Sequence, residues 1–229
     1  MSTDVVPGEQ ARDRAVVGLA VLSGATDAIS FLALGSAFTS VMTGNLVLVG
    51  AAIGSREAAA LGAVATAIVA YVAGVAVGTR VAGRPRGDDG AWPPAVTVAL
   101  LAELGLLAAY AVGWWLLDSD PHGAWILPLL ALCAAGLGIQ ASAILRFGVS
   151  GLSSTYLTGT LTTLVVTLAS DRRPRGLGRS ARLLTALVVG AAIGAALVSL
   201  ARPAAPVFQL AVLLVVIAAG WQISRRTNA

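Results

Sequence analysis

The chain has 229 residues, of which 57% are hydrophobic and 11% charged, and its mean hydropathy is +0.86. These values exclude an ordinary soluble domain and indicate an all-α integral membrane protein. The net charge of +4 rests on arginine, because the sequence contains no lysine. These arginines cluster in short loops between apolar runs, which indicates membrane topology and not nucleic-acid binding.

Six apolar runs are long enough for helices that cross a bilayer, which takes about 20 residues each. In chain order they cover 15–35, 57–80, 93–117, 124–146, 181–201 and 205–224, after a polar tail at residues 1–14. Two shorter runs, 43–54 and 158–169, would reach only roughly 18 Å as helices, which is less than a hydrocarbon core of ~30 Å. We predict that they are discontinuous or re-entrant half-helices.

The two short runs belong to an internal repeat. A shift of 115 positions places Thr43-Gly44-Asn45-Leu46 over Thr158-Gly159-Thr160-Leu161 without a gap, and Asp27 over Ser142. With one more residue inserted, Gly74 and Gly78 align with Gly190 and Gly194. The sequence therefore predicts two repeats, residues 15–117 and 124–224, each with three spans and one half-helix.

The arginines predict the topology. They cluster before the first span, after the second, before the fifth and after the sixth, and the positive-inside rule places all four groups and both termini in the cytoplasm. This arrangement requires each half-helix to return to the side it came from, which gives inverted 3+3 repeats. In the alternative, 36–54 crosses the membrane and the repeats are parallel. Trp92 and Trp221 are expected at the inner interface, and Trp114, Trp115 and Trp125 at the outer one.

The broken segments are the predicted binding site. Irregular backbone at membrane depth persists only inside protein or beside a water-filled cavity. Thr43 and Thr158 are suitable N-caps, and Gly44 and Gly159 permit close approach. Two helix N-termini that meet near the midplane suit an anion or a polar solute. We expect the solute to contact Thr43, Gly44, Asn45, Thr158, Gly159 and Thr160. Alternatively, each break is only a capped turn between packed helices.

Two acids fall within predicted spans, where ionisable groups are costly. Asp27 is either a proton-coupling carboxylate or a group that fastens the broken chain. Glu103 is either a proton relay or a neutral packing residue. Gln140 is expected to present its amide to the same cavity. Arg146 either extends to the interface or pairs with Asp27 or an anion.

Other chemistry is not indicated. Cys133 is interpreted as a small buried hydrophobic residue, and His122 lies in a loop. Motifs for metals, nucleotides and nucleophilic catalysis are absent from the sequence, so we expect no cofactor, no metal, no nucleic-acid partner and no enzyme activity. The partners expected are the lipid bilayer and a small solute or ion. Small residues on the helix faces make a homodimer a reasonable expectation.

The stretch from Gly24 to Gly50, GATDAISFLALGSAFTSVMTGNLVLVG, resembles the opening signature of the YoaK-like bacterial membrane proteins. The later GIQASAIL and SSTYLTGTLTTL resemble that family's second block. The similarity extends over the chain beyond its N-terminal tail. It implies a small polytopic protein of the bacterial plasma membrane and supplies no substrate, because the function of the family is unknown.

The sequence thus favours a secondary transporter of a small anionic or polar solute, with Asp27 and Glu103 as candidates for proton coupling. Because two acids lie within the membrane spans, a proton-coupled cationic solute stays an open alternative. A passive channel of the same architecture is the second hypothesis. A membrane scaffold without a transport path is the third.

Overall fold

The computed structural model describes residues 7–85, 90–147, 159, 161–162, 165–166 and 177–227. In this part of the chain every regular element is a helix, and seven helices have ten residues or more. They are α1 (Pro7–Ala33), α2 (Met42–Ser55), α3 (Ala58–Ala82), α4 (Pro94–Leu116), α5 (Ile126–Leu145), α6 (Leu177–Leu200) and α7 (Ala205–Thr227). Short 3-10 turns, Gly123–Trp125 and Arg202–Ala204, precede α5 and α7.

The six predicted spans are confirmed as helices. All of these helices except α2 are long and apolar enough to cross a membrane, and α2, with 14 residues, corresponds to the half-helix predicted at 43–54. The start of α1 differs from the prediction, because Pro7 begins the helix inside the stretch assigned to a polar tail. Glu, Gln, Ala and Arg dominate this stretch and favour helix despite their polarity. The half-helix predicted at 158–169 lies largely outside the described residues.

One end of the bundle carries arginines, and we call it the arginine end. Arg146, just after α5, donates a hydrogen bond to the carbonyl of Arg84, just after α3. Arg179 near the start of α6 lies 3.6 Å from Asp13 near the start of α1. Trp92, just before α4, packs against Phe147, and a side chain on Gly220 of α7 would overlap the Trp92 ring. The starts of α1, α4 and α6 and the ends of α3, α5 and α7 therefore lie together.

The opposite end gathers the other helix termini. A side chain on Gly35, after α1, would meet Ala63 of α3 at 2.9 Å and Ile126 of α5 at 3.3 Å. Trp114 Nε1 at the end of α4 donates to the Arg202 carbonyl before α7 at 3.1 Å. The segment 34–57, which includes α2, therefore begins and finishes at this one end of the bundle.

Glycines let two parallel helix pairs pack with their backbones in contact. In each pair, a Cβ added at any of three glycines would lie too close to the backbone of the partner helix. In the pair α1–α6 the contacts are Gly24 with Leu187, Gly190 with Val21 and Gly194 with Ala25, and in the pair α5–α3 they are Gly138 with Tyr71, Gly74 with Ala135 and Gly78 with Ile139. The contacts of the two pairs correspond when 114 is added to the residue numbers of α1, which gives those of α5, and 116 to those of α3, which gives those of α6. This register sets Asp27 over Ala141, one residue away from the sequence alignment over Ser142.

The tryptophans divide into two groups. Trp92 and Trp114 are buried in the bundle, at 2% and 0% exposure, so their assignment to interfacial belts is wrong. Their indole N–H groups donate to Thr97 and to the Arg202 carbonyl, which lets them pack between helices. Trp115, Trp125 and Trp221 are exposed, as expected of residues at a membrane interface.

Candidate functional site

The chain between α1 and α2, residues 34–41, has no regular structure, and we call it the broken segment. The Leu34 N–H still bonds to the Ser30 carbonyl, and positive φ angles at Gly35 (87°) and Ser36 (57°) then turn the chain back. Ser30 Oγ donates to the Ala37 carbonyl oxygen at 2.9 Å and holds the returning chain against α1. Thr39 and Ser40 are consequently buried although they lie outside a helix.

Asp27 of α1 fastens the broken segment through four hydrogen bonds. Its Oδ1 accepts from the Thr39 N–H at 2.7 Å, the Thr39 hydroxyl at 2.9 Å and the Ser40 N–H at 2.8 Å. Its Oδ2 accepts from the Ser40 hydroxyl. Donors on both oxygens stabilise an ionised carboxylate. The carboxylate in turn accepts from two backbone N–H groups that would otherwise be buried without partners. The fastening role foreseen for Asp27 is therefore observed, and a role in proton coupling stays a prediction.

Asn45 of α2 binds the backbone of Phe38, the residue before Thr39, in a similar way. Its side-chain oxygen accepts from the Phe38 N–H at 3.0 Å, and its Nδ2 donates to the Phe38 carbonyl at 2.7 Å. The Phe38 ring stacks on Phe31 of α1, with centroids 4.9 Å apart. Asn45 is fully buried and its amide is occupied by backbone. Contact between Asn45 and a solute stays a prediction.

The start of α2 differs from expectation. The helix begins at Met42, and Val41 occupies the cap position without a side-chain hydrogen bond, so the assignment of Thr43 as the N-cap is wrong. Thr43 is exposed in the first turn. A Cβ on Gly44 would lie 3.3 Å from Val41 Cγ1 and 3.4 Å from the Phe38 ring, so this position is crowded. The physical reason is that the chain, which Asp27 and Asn45 hold at residues 38–40, enters the helix directly at Met42, so Thr43 already lies inside the first turn.

A cleft of about 390 Å³ lies beside the broken segment, between α1 and α6. Small residues of both helices form part of its wall, including Gly24, Ala28 and Ala191, and Phe31 and Phe38 form another part. Asp27 contributes to the lining, but the carboxylate is turned toward Thr39 and Ser40, so the exposed walls are almost wholly apolar. The cleft thus gives access to the region of the break for a group with apolar surface.

Gln140 and Glu103 lie apart from the broken segment. Gln140 Nε2 donates to Ser23 Oγ at 2.7 Å and to the Leu19 carbonyl at 3.4 Å, which links α5 to the middle of α1. Glu103 is completely buried on α4, and its carboxyl oxygens have no hydrogen-bond partner among the residues that the structure describes. The cleft beside Asp27 is lined by neither of them.

Arg146 is buried at the arginine end, where it binds the carbonyl of Arg84. At 5% exposure it is packed against the end of α3, so its interpretation as a side chain that extends into the interface is wrong.

For the second half-helix, Thr158 and Thr160 lie outside the described residues. Gly159 is helical and exposed, with open space where a Cβ would be.

Sequence reasoning did not identify several residues of this region. The donors Thr39 and Ser40 were not singled out, although hydroxyl groups ahead of the T-G-N motif are a usable signal. Gln209 of α7 was not recognised, and its Nε2 donates to Thr26 Oγ1 at 2.8 Å inside the bundle. A glutamine inside an apolar span is the signal that would have indicated it.

Comparison with known proteins agrees with the membrane fold. The profile of the family described as "Protein of unknown function (DUF1275)" matches residues 15–220. The chain is 32% identical over 189 residues to the UPF0700 transmembrane protein YoaK of Bacillus subtilis (strain 168), a match that covers 81% of each protein. No solved structure matches the chain. The match extends over all six long apolar helices and over the broken segment. The chain therefore belongs to the YoaK-like DUF1275 family of multi-pass membrane proteins, whose function is unknown.

Proposed function

We propose that the protein is a secondary transporter that carries a small anionic or polar solute across the bacterial plasma membrane, with both termini in the cytoplasm and no enzymatic activity. The observation that carries this proposal is the broken segment. Backbone at membrane depth costs several kcal/mol for each unsatisfied polar group, and here Asp27 and Asn45 together bind the backbone of residues 38–40. Such breaks are typical of the binding sites of transporters.

The start of α2 supplies one side of the proposed binding site. Thr43 is exposed there and Gly44 lies beside Phe38 and Val41, both of which line the cleft. A solute that reaches this point would meet the N-terminal N–H groups of α2, which carry a partial positive charge. Thr158, Gly159 and Thr160 would contact it from the second half-helix.

Inverted repeats are the architecture that we propose around this site. The glycine contacts relate α1 to α5 and α3 to α6. The members of each related pair run in opposite directions, because α1 and α6 start at the arginine end, where α3 and α5 finish. Segment 34–57 begins and finishes at the other end, which supports a re-entrant α2. A homodimer stays part of this proposal.

Cysteines that replace Arg56 and Arg84 should react with an impermeant maleimide from opposite sides of the membrane. Arg56 follows α2, at the end where α3 begins, and Arg84 follows α3 at the arginine end. In right-side-out vesicles only the cysteine at position 56 should react, and in inverted vesicles only that at position 84. Cys133 is buried, and Cys133→Ala supplies a clean background. Labelling of both positions from one side would overturn the re-entrant topology.

Proteoliposomes should admit at least one probe solute faster than protein-free liposomes. The probes are potassium formate and potassium nitrate, each with valinomycin, and the neutral solutes glycerol and urea. Their entry is measured as the change in liposome volume after an osmotic step. Gly44→Val should lower the rate by about tenfold because the new side chain displaces Phe38 and Val41. Gly50→Val on the same helix, where a Cβ meets open space, is the matched control.

The same assay separates the alternatives. A transporter gives a rate that saturates with solute concentration. A rate that rises linearly with solute concentration and is insensitive to a pH gradient indicates a channel. The absence of flux for all four probes, with the protein correctly folded, favours a scaffold.

A further inference from the structure

Glu103 occupies an unusual position for an acid. It lies nine residues into α4, about 13 Å from the start of the helix, and has no exposed surface. Neither Oε1 nor Oε2 has a hydrogen-bond partner within the described part of the chain. α5 faces it through Gly136, where an added Cβ would lie 3.5 Å from Glu103 Cγ. The carboxyl group is therefore enclosed by helices and not by water.

No charged group of the described helices around α4 lies near the middle of the bundle. α4 packs against α5, α7 and α3. The arginines of those helices lie at the arginine end, in the last turns or just after them: Arg80, Arg146, Arg225 and Arg226. The other titratable groups on α4, α5 and α3 are Tyr110, Cys133 and Tyr71, all neutral in their ordinary form. No counterion thus compensates an ionised Glu103 among these residues.

Other polar atoms inside the bundle are also buried without partners. The side-chain oxygens of Gln140 on α5 and Gln209 on α7 accept no hydrogen bond in the described residues, and the Tyr110 hydroxyl has no partner there as donor or acceptor. Gln140 follows Gly136 by one turn of α5. A proton on Glu103 removes a charge that neither a counterion nor a hydrogen bond from the described residues compensates.

The two membrane acids therefore have opposite environments. Asp27 receives four hydrogen bonds, which stabilise its ionised form, whereas Glu103 receives none from the described residues. Two acids whose surroundings differ in this way take different roles. We propose that Glu103 is the group that binds and releases a proton within the membrane, and that Asp27 stays ionised as the fastening of the broken segment. Coupling of this proton to solute movement rests on the proposed transport function, but the protonation of Glu103 does not.

Infrared spectroscopy of the protein in lipid bilayers tests the assignment. The wild type should show the C=O band of a neutral carboxylic acid, shifted in deuterated water, and Glu103→Gln should lack it. Asp27→Asn should keep the band, as should Glu57→Gln, which changes an exposed glutamate. The band should also disappear reversibly at strongly alkaline pH. A band that persists in Glu103→Gln or vanishes in Asp27→Asn overturns the assignment. A band that stays constant at every pH shows a permanently neutral packing residue and also overturns it.

A second measurement separates this proposal from the transport function. If the wild-type protein transports one of the probes into proteoliposomes, the Glu103→Gln variant should still let that probe equilibrate. It should lose the accumulation of the probe that a pH gradient drives. Loss of the infrared band at alkaline pH, together with no flux of any probe, would refute transport and leave the proton site standing. Unchanged pH-driven accumulation in Glu103→Gln would refute the coupling role of Glu103. Accumulation driven by a sodium gradient instead would show that the site takes a metal cation and not a proton.

Discussion

Gly74→Ala is expected to lower the free energy of unfolding by about 2–3 kcal/mol, the usual cost of overpacking a close interface. The added Cβ would overlap the Ala135 carbonyl, so α3 and α5 must move apart. These helices form one of the two most extensive helix contacts in the described bundle, and their separation removes van der Waals contact along its length. The measurement is the loss of helical circular dichroism on titration with SDS in mixed micelles.

Gly62→Ala on the same helix is the matched control. No heavy atom lies within 4 Å of a Cβ at this position, so alanine should be neutral or should stabilise α3 by up to about 1 kcal/mol. Gly190→Ala, which would overlap the Val21 carbonyl on the other helix pair, should match the loss at Gly74. Equal effects at Gly62 and Gly74 would contradict the close packing. Very different effects at Gly74 and Gly190 would contradict the equivalence of the two pairs.

The positions of the long helices were predictable because hydropathy determines them. Apolar runs bounded by Arg, Pro or Gly gave most helix ends to within a few residues. The start of α1 was missed because residues 7–14 are helical through local propensity, to which hydropathy is insensitive. The buried positions of Trp92 and Trp114 were missed for another reason. Their neighbours, Phe147, Gly220 and Arg202, are remote in sequence, and only tertiary packing brings them together.

The broken segment was predictable in place but not in construction. The short apolar run that begins with Thr43-Gly44-Asn45 indicated where the helix is interrupted. The partners of the break depend on the turn at Gly35 and Ser36, which reverses the chain and brings Thr39 back to Asp27, twelve residues earlier. Gly35 and Ser36 are residue types typical of turns, but the sequence does not show which residues this turn brings together. The isolation of Glu103 depends similarly on the packing of α4 against three other helices.

Asp27→Ala is expected to release the broken segment and to lower the free energy of unfolding by about 3 kcal/mol or more, since it leaves the buried N–H groups of Thr39 and Ser40 without an acceptor. The two amides should then lose their protection in hydrogen–deuterium exchange. Asp27→Asn keeps a side-chain oxygen for the three donors on Oδ1, and the Ser40 hydroxyl can turn to accept from the new amide nitrogen. This variant should therefore lose only about 1 kcal/mol and keep the protection.

The contrast between these variants distinguishes the two roles foreseen for Asp27. Thr39→Val removes only the hydroxyl bond and leaves both backbone N–H groups on the carboxylate, so it is the control for side-chain loss without release of the segment. If Asp27 only fastens the chain, flux should follow exchange protection, with Asp27→Asn close to wild type and Asp27→Ala inactive. If Asp27→Asn keeps its protected amides but loses pH-driven transport, the carboxylate itself changes protonation, and the proton site proposed at Glu103 is then insufficient on its own. The four hydrogen bonds favour the first outcome because each of them would weaken when a proton binds to Asp27.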